Sequence, residues 1–122
     1  GLSSQTGQVY QGYWERGDVV ESGASMVVIG DVNHGARVIA KGNIVILGSL
    51  HGSAYAGAAG NASAVVMAME MVPMQVRIAD FSTLPEDKGK KLGKGPVIAS
   101  AQDDSIIVRP IRKSFLNYLN FI

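Results

Sequence analysis

Two histidines, a lysine-rich glycine loop and a few scattered carboxylates are the residues of this chain that could do chemistry. His34 and His51 are the only histidines. They fall at corner positions of the repeat described below, one residue out of register in adjacent coils. Without a neighbouring carboxylate or cysteine, two imidazoles make a poor metal site, because zinc takes three or four protein ligands. The loop Gly89-Lys90-Lys91-Leu92-Gly93-Lys94-Gly95 has the composition of a phosphate-binding loop. Its spacing is wrong: four residues should separate the glycines, and Ser or Thr should follow the lysine. Asp18, Asp31 and Arg37 could serve a sugar-cleaving groove, but only about four coils are available to build one. Nothing suggests a buried, oriented Ser-His-Asp set. Asn61-Ala62-Ser63 matches a glycosylation sequon, which carries little meaning in a cytoplasmic protein. The chain thus offers no catalytic residue, no metal-ligand set and no cofactor site.

Composition narrows the classes further. The 122 residues are 47% hydrophobic, enough for a core and too many for disorder. A net charge of +1 gives no footprint for nucleic acid. The absence of cysteine removes disulfides, thiolate nucleophiles and the common zinc clusters. No apolar run approaches the roughly 20 residues that span a bilayer, and no signal peptide is visible. The chain begins at Gly1 rather than Met, so it is expected to be a piece of a longer protein.

What positions these residues is a repeat. Gly12, Gly30 and Gly48 recur every 18 residues. Around them Val9, Val27 and Val45 share one register, Tyr10, Val28 and Ile46 the next, and Trp14, Val32 and Leu50 a third. Gly17 recurs as Gly35. Val20, Val38 and Ala56 form a further column, as do Ser22, Ala40 and Ala58. Gly42-Asn43 returns as Gly60-Asn61. Val65-Val66-Met67 matches Val45-Ile46-Leu47 once two residues are inserted within 58–62. An 18-residue unit divides into three short strands and three corners, with glycine at corners that need positive φ. Helical solenoids use units of about 33 residues or more, and the hexapeptide repeat of left-handed β-helices is not kept. The expected fold is all-β: a right-handed parallel β-helix, a three-sided solenoid of about four 18-residue coils. Asn43 and Asn61 either stack as an amide ladder or simply make Gly-Asn turns.

The strands are apolar at both parities, as in Val27-Val28-Ile29 and Ile44-Val45-Ile46-Leu47. Successive side chains point to opposite faces, so one set fills the core and the other faces outward. A second copy would cover that outward set. Its column is either Tyr10, Val28 and Ile46, the set taken as the dimer interface, or Val27, Ile29, Val45 and Leu47. Three segments follow: a flexible stretch 1–8, the β-helix 9–80, and a region 81–122 of loop, hairpin and C-terminal tail belonging to the same domain. Residues 97–101 and 105–109, joined by Gln102-Asp103-Asp104, read as a β-hairpin that covers the last coil. The tail, with Phe115, Leu116, Leu119, Phe121 and Ile122, reads as a short helix capped by Ser114.

The run Gly30-Asp31-Val32-Asn33-His34-Gly35-Ala36-Arg37-Val38-Ile39-Ala40-Lys41-Gly42-Asn43-Ile44-Val45-Ile46-Leu47-Gly48-Ser49-Leu50-His51-Gly52, continued by Ala54-Tyr55-Ala56-Gly57-Ala58 and Gly60-Asn61, closely resembles the C-terminal signature of the MinC family. The similarity covers residues 9–80, and more weakly 78–87 and the hairpin. It implies a cytoplasmic β-helical module that forms homodimers and binds the membrane-associated ATPase MinD. It also implies inhibition of FtsZ assembly, directly or through a preceding domain, at the inner face of the cell membrane that the partner reaches. The family's MinD-contacting motif, Arg-Ser-Gly-Gln, aligns with Glu15, Arg16, Gly17 and Asp18, so only the glycine is kept. Its usual Ala-Glu-Val is here Ala36-Arg37-Val38, and its Leu-Arg-Gly is Leu50-His51-Gly52. The resemblance places the MinD contact at Glu15, Arg16, Gly17, Asp18 and Arg37, with a partner changed in parallel. Two other readings are a self-assembling β-helix of the bactofilin kind and a carbohydrate-active β-helix enzyme.

Overall fold

A computed structural model describes residues 7–112 of the chain. Most of the stretch 1–8 and the helix expected from Ser114 lie outside the described residues. Within them the chain winds into a right-handed, three-sided parallel β-helix closed at one end by a hairpin.

The strands of the first side are β1 (Gln8–Gln11), β3 (Met26–Ile29), β5 (Ile44–Leu50) and β7 (Val66–Met71). Those of the second are β2 (Val19–Ser22), β4 (Arg37–Ala40), β6 (Ser53–Ala56) and β8 (Gln75–Ile78). Each side is a parallel ladder. The third side shrinks to single bridges, Trp14 to Val32 and Val32 to Leu50, and continues as the pairing of Leu50 with Met71. β9 (Phe81–Ser82) returns antiparallel on β8. A 3₁₀ turn (Pro85–Asp87) follows, then β10 (Val97–Gln102) and β11 (Ser105–Pro110). β10 joins the first sheet antiparallel to β7, and β11 pairs with β10 across Asp103 and Asp104. Both aspartates have positive φ, as a two-residue hairpin turn requires.

The 18-residue register holds where the residues demand it. Met26 faces Ile44, Val28 faces Ile46, and Val20 faces Val38. Aliphatic side chains repeat on one parity, so each coil buries its row over the row before. Gly12, Gly30 and Gly48 stack so closely at one corner that a Cβ on Gly30 or Gly48 would strike the carbonyl oxygen of the glycine below. No other residue fits there.

The register then changes. Arg37 faces Ser53 and Val38 faces Ala54, so the third member of the Val20 and Val38 column is Ala54 and not Ala56. Likewise Ser22 and Ala40 are followed by Ala56 and not Ala58. The corner after Leu50 holds only His51 and Gly52, where the previous coil used four residues, Asn33 to Ala36. The lost length returns in the corner after Ala56, which is why Ile44 faces Val66 and Val45 faces Met67. More than two residues are therefore inserted. Asn61 sits exposed in that long corner, its Oδ1 accepting from the Ser63 amide at 3.0 Å. The residue stacked on Asn43 is Val65, whose amide donates to Asn43 Oδ1 at 2.9 Å, while the Asn43 amide donates to Ser25 Oγ at 2.9 Å. Asn43 is a buried rung-to-rung connector, and no Asn43–Asn61 ladder forms.

Side-chain direction corrects one expectation. Val28 and Ile46 are 0% and 1% exposed and lie inside the solenoid, and Tyr10 packs against the same core. This column cannot be a dimer interface, because inward parity is set by the large residues Met26, Val28, Ile44 and Ile46. The outward set is Val9, Val27, Ile29, Val45, Leu47, Met67 and Met69. Tyr10 and Trp14 pack on the core at its first coil, and Leu92, Ile106 and Val108 pack on it at its last.

Replacing a fully buried residue with alanine leaves a cavity that this narrow interior cannot close. Ile46→Ala is expected to lower stability by about 2–5 kcal/mol in a urea melt. Val19→Ala, on the exposed parity of β2, should cost less than about 1 kcal/mol.

Candidate partner-binding surfaces

The corner between the third and second sides carries most of the charged groups singled out in the sequence. In the first coil it is a tight turn: the Asp18 amide donates to the Glu15 carbonyl at 2.9 Å, and Asp18 Oδ2 accepts from the Glu15 amide at 2.9 Å. Gly17 has φ +92, a conformation that side chains resist, and its amide donates to the Gly35 carbonyl one coil on at 3.0 Å. The Arg37 amide in turn donates to the Asp18 carbonyl at 2.9 Å. Asn33 Nδ2 donates to Glu15 Oε1 at 3.2 Å. The Arg16 stem lies over Gly35, where a Cβ would meet Arg16 Cγ at 2.9 Å.

Glu15, Arg16, Gly17, Asp18 and Arg37 are thus brought together on one exposed ridge spanning two coils. The backbone holds the ridge, and the ends of Arg16 and Arg37 project from it. Such an arrangement can present fixed, alternating charge to a partner. Beside Arg37 it borders only a shallow groove on the second sheet.

Farther along the solenoid lies a cluster that sequence reasoning did not find. His51 Nε2 is 3.5 Å from Glu70 Oε1, and Lys91 Nζ is 3.8 Å from Glu70 Oε2. Ser49 Oγ also reaches Glu70. His51 therefore meets a carboxylate, contributed by β7 more than a coil away in sequence. Among the described residues no group of three His, Cys, Asp or Glu could hold a metal ion. Asp31 and Asp18 do not converge: Asp31 Oδ1 accepts from the Ser49 amide at 2.8 Å at another corner. The Asp18 carboxylate closes its own turn, and that of Asp31 ties one coil to the next. In the lysine-rich loop, the Leu92 amide donates to the Met71 carbonyl at 2.7 Å, which pins the loop to the solenoid.

Two sheet faces carry the other exposed groups. On the second sheet, the Arg77 guanidinium lies over the Tyr55 ring, 4.3 Å from its centroid, beside Arg37, Ser53 and Gln75 in a shallow groove. On the first sheet the outward aliphatics form two rows. Val9, Val27, Val45 and Met67 make one, and Ile111 packs onto its far end. Ile29, Leu47 and Met69 make the other and stand 41%, 48% and 49% exposed.

Comparison with known proteins agrees with this fold. The family model of the septum formation inhibitor MinC, C-terminal domain, matches residues 8–111. A probable septum site-determining protein MinC from Agathobacter rectalis is 41% identical over 120 residues, 90% of this chain and 49% of that protein. Its counterpart from Lachnospira eligens is 40% identical over 117 residues, 88% of this chain and 48% of that protein. The chain therefore spans about half the length of these curated relatives. A chain of the MinC:MinD cell division protein complex of Aquifex aeolicus superposes with a TM-score of 0.79 at 29% identity. The match covers 94% of this chain and 96% of that one.

The ridge should tolerate changes of charge but not of backbone. Glu15→Arg is expected to leave the unfolding free energy from a urea melt within about 0.5 kcal/mol of the parent. Gly17→Ala, forced to positive φ, should cost about 1–2 kcal/mol in the same measurement.

Proposed function

The chain belongs to the MinC C-terminal domain family, a family of septum formation inhibitors rather than of enzymes, and from that premise we propose that it is the dimerisation and MinD-binding module of a division-site regulator. Its role is to hold an inhibitor of FtsZ assembly where a membrane-associated, MinD-type ATPase resides. FtsZ is met directly or through the preceding part of a longer protein. Among the described residues no helix is long and apolar enough to cross a membrane, and the proposed route to the cell membrane is indirect, through the partner.

The observation that carries this reading is the charged ridge at Glu15, Arg16, Gly17, Asp18 and Arg37. By the resemblance it stands where the family carries Arg-Ser-Gly-Gln, and Gly17 is the one residue of the four whose backbone conformation favours glycine. Gly17 holds a positive φ and hydrogen-bonds to Gly35 in the coil above. The residues beside it face solvent, so their charge is free to follow a partner. Replacing Arg by Glu15 and Gln by Asp18 makes this part of the contact more acidic. The MinD that fits it carries compensating basic groups, since like charges brought together at an interface cost several kcal/mol.

Self-association is assigned to the outward face of the first sheet, through Val9, Val27 and Ile29. The Aquifex aeolicus complex supports MinD as the partner class.

Binding to the MinD of the same organism, loaded with ATP, tests the first assignment. Glu15→Arg should weaken it at least about tenfold, or 1.4 kcal/mol. Unchanged affinity would remove the ridge from the contact. For the second assignment, mass in solution is the readout: Ile29→Asp should convert a dimer to a monomer, and a parent chain that is already monomeric would refute it.

A further inference from the structure

We propose that the segment 114–122 docks in cis on the outer face of the first sheet, in the apolar groove over Leu47 and Met69. Residue Ile111 is the first reason. After β11 the chain does not leave the solenoid. The Ile111 amide donates to the Pro96 carbonyl at 3.1 Å, and its side chain packs on Val45, Val65 and Met67, on the outward parity of the first sheet. Residue 111 is thus already in the groove, whose walls are Val45, Leu47, Met67, Met69, Pro96 and Ile111 itself.

The groove is the second reason. All six of these side chains are apolar, and Leu47 and Met69 remain about half exposed at its rim. It has no charged group to pair with an ionic ligand and no polar group to orient a small molecule. Its complement is a run of aliphatic and aromatic side chains.

Composition supplies that run. From Ser114 the sequence reads Ser-Phe-Leu-Asn-Tyr-Leu-Asn-Phe-Ile, with six large apolar residues and no charge. Nine residues reach about 30 Å when extended, and two strand spacings, from β7 back to β3, cover only about 10 Å. Reach is therefore ample. Beginning two residues beyond Arg112, the tethered segment has an effective concentration that a free partner does not match. Docking this way covers Leu47 and Met69 and leaves Val9, Val27 and Ile29 open to a second copy. The two contacts share one face without excluding each other, and neither requires MinD.

Because the chain has no cysteine, cross-linking can read the contact. Chains carrying Met69→Cys with Leu119→Cys are treated with a short flexible bis-maleimide and compared on denaturing gels with a Gln75→Cys, Leu119→Cys pair. Gln75 lies on the second sheet, and circular dichroism confirms that each variant folds. The 69–119 pair should give an internally linked monomer in several-fold higher yield than the 75–119 pair. Equal yields overturn the proposal. An equal mixture of the two single-cysteine chains, Met69→Cys and Leu119→Cys, should give no linked dimer beyond the Gln75→Cys mixture. A strong dimer band there would place the segment on a second copy and overturn docking in cis. Native mass of the parent chain reports self-association separately, so failure of either assignment is recognised on its own.

Discussion

Everything in this molecule depends on the backbone hydrogen bonds that run from each coil to the next. A parallel rung satisfies its amides and carbonyls only by stacking on its neighbours, and stacking forces equivalent positions into columns. The Gly12, Gly30 and Gly48 column shows the constraint at its tightest, with no room for a side chain between successive corners. Asn43 shows it in another form: its amide and its side chain connect to Ser25 below and Val65 above, in a corner that is largely shielded from water. The aliphatic interior follows from the same stacking, since a column of Met26, Ile44 and Val66 stays dry only if every coil contributes to it.

Function is a by-product of what the columns leave outside. On the corner ridge the backbone fixes where Glu15, Asp18 and Arg37 emerge; the Asp18 carboxylate also closes its turn, while Glu15 and Arg37 stand exposed. A scaffold of this kind can exchange partners by changing surface charge without refolding. The outward faces differ in chemistry for a similar reason. The second sheet alternates inward residues such as Val38, Ala54 and Val76 with Arg37, Tyr55 and Arg77 outside, whereas β3 and β5 of the first sheet are aliphatic on both sides and leave Ile29 and Leu47 exposed.

Much of this was legible in the sequence. The solenoid, its three sides and the hairpin follow from glycine spacing and β-branched columns. Register failed at Ala54, Ala56 and Ala58, because three alanines at alternate positions look alike when the pattern slips by two. The second Gly-Asn pair compounded the error, since Gly60-Asn61 repeats the letters of Gly42-Asn43 in a corner that had lengthened. Choosing the outward column was beyond pattern alone: Val27-Val28-Ile29 is aliphatic at both parities, and only the packing of Val28 against Ile46 separates inside from outside. The five ridge residues lie together because four of them form the corner that Gly17 marks and Arg37 follows the equivalent corner one coil on; their role in a contact comes from the family resemblance and not from the pattern. His51, Glu70 and Lys91 could not be grouped, since their meeting depends on the shortened corner after Leu50 and on the loop that Leu92 pins.

Transplanting the family motif onto this backbone is the most direct measurement of the central claim, that the ridge chooses the partner. In the variant Glu15→Arg, Arg16→Ser, Asp18→Gln, with Gly17 untouched, the corner reads as the common family sequence on an unchanged solenoid. Affinity would be measured against two ATP-loaded MinD proteins, the organism's own and one whose MinC carries Arg-Ser-Gly-Gln. A switch of preference from the first to the second is the expected result. Unaltered preference for the first would mean that partner choice resides elsewhere on the coil.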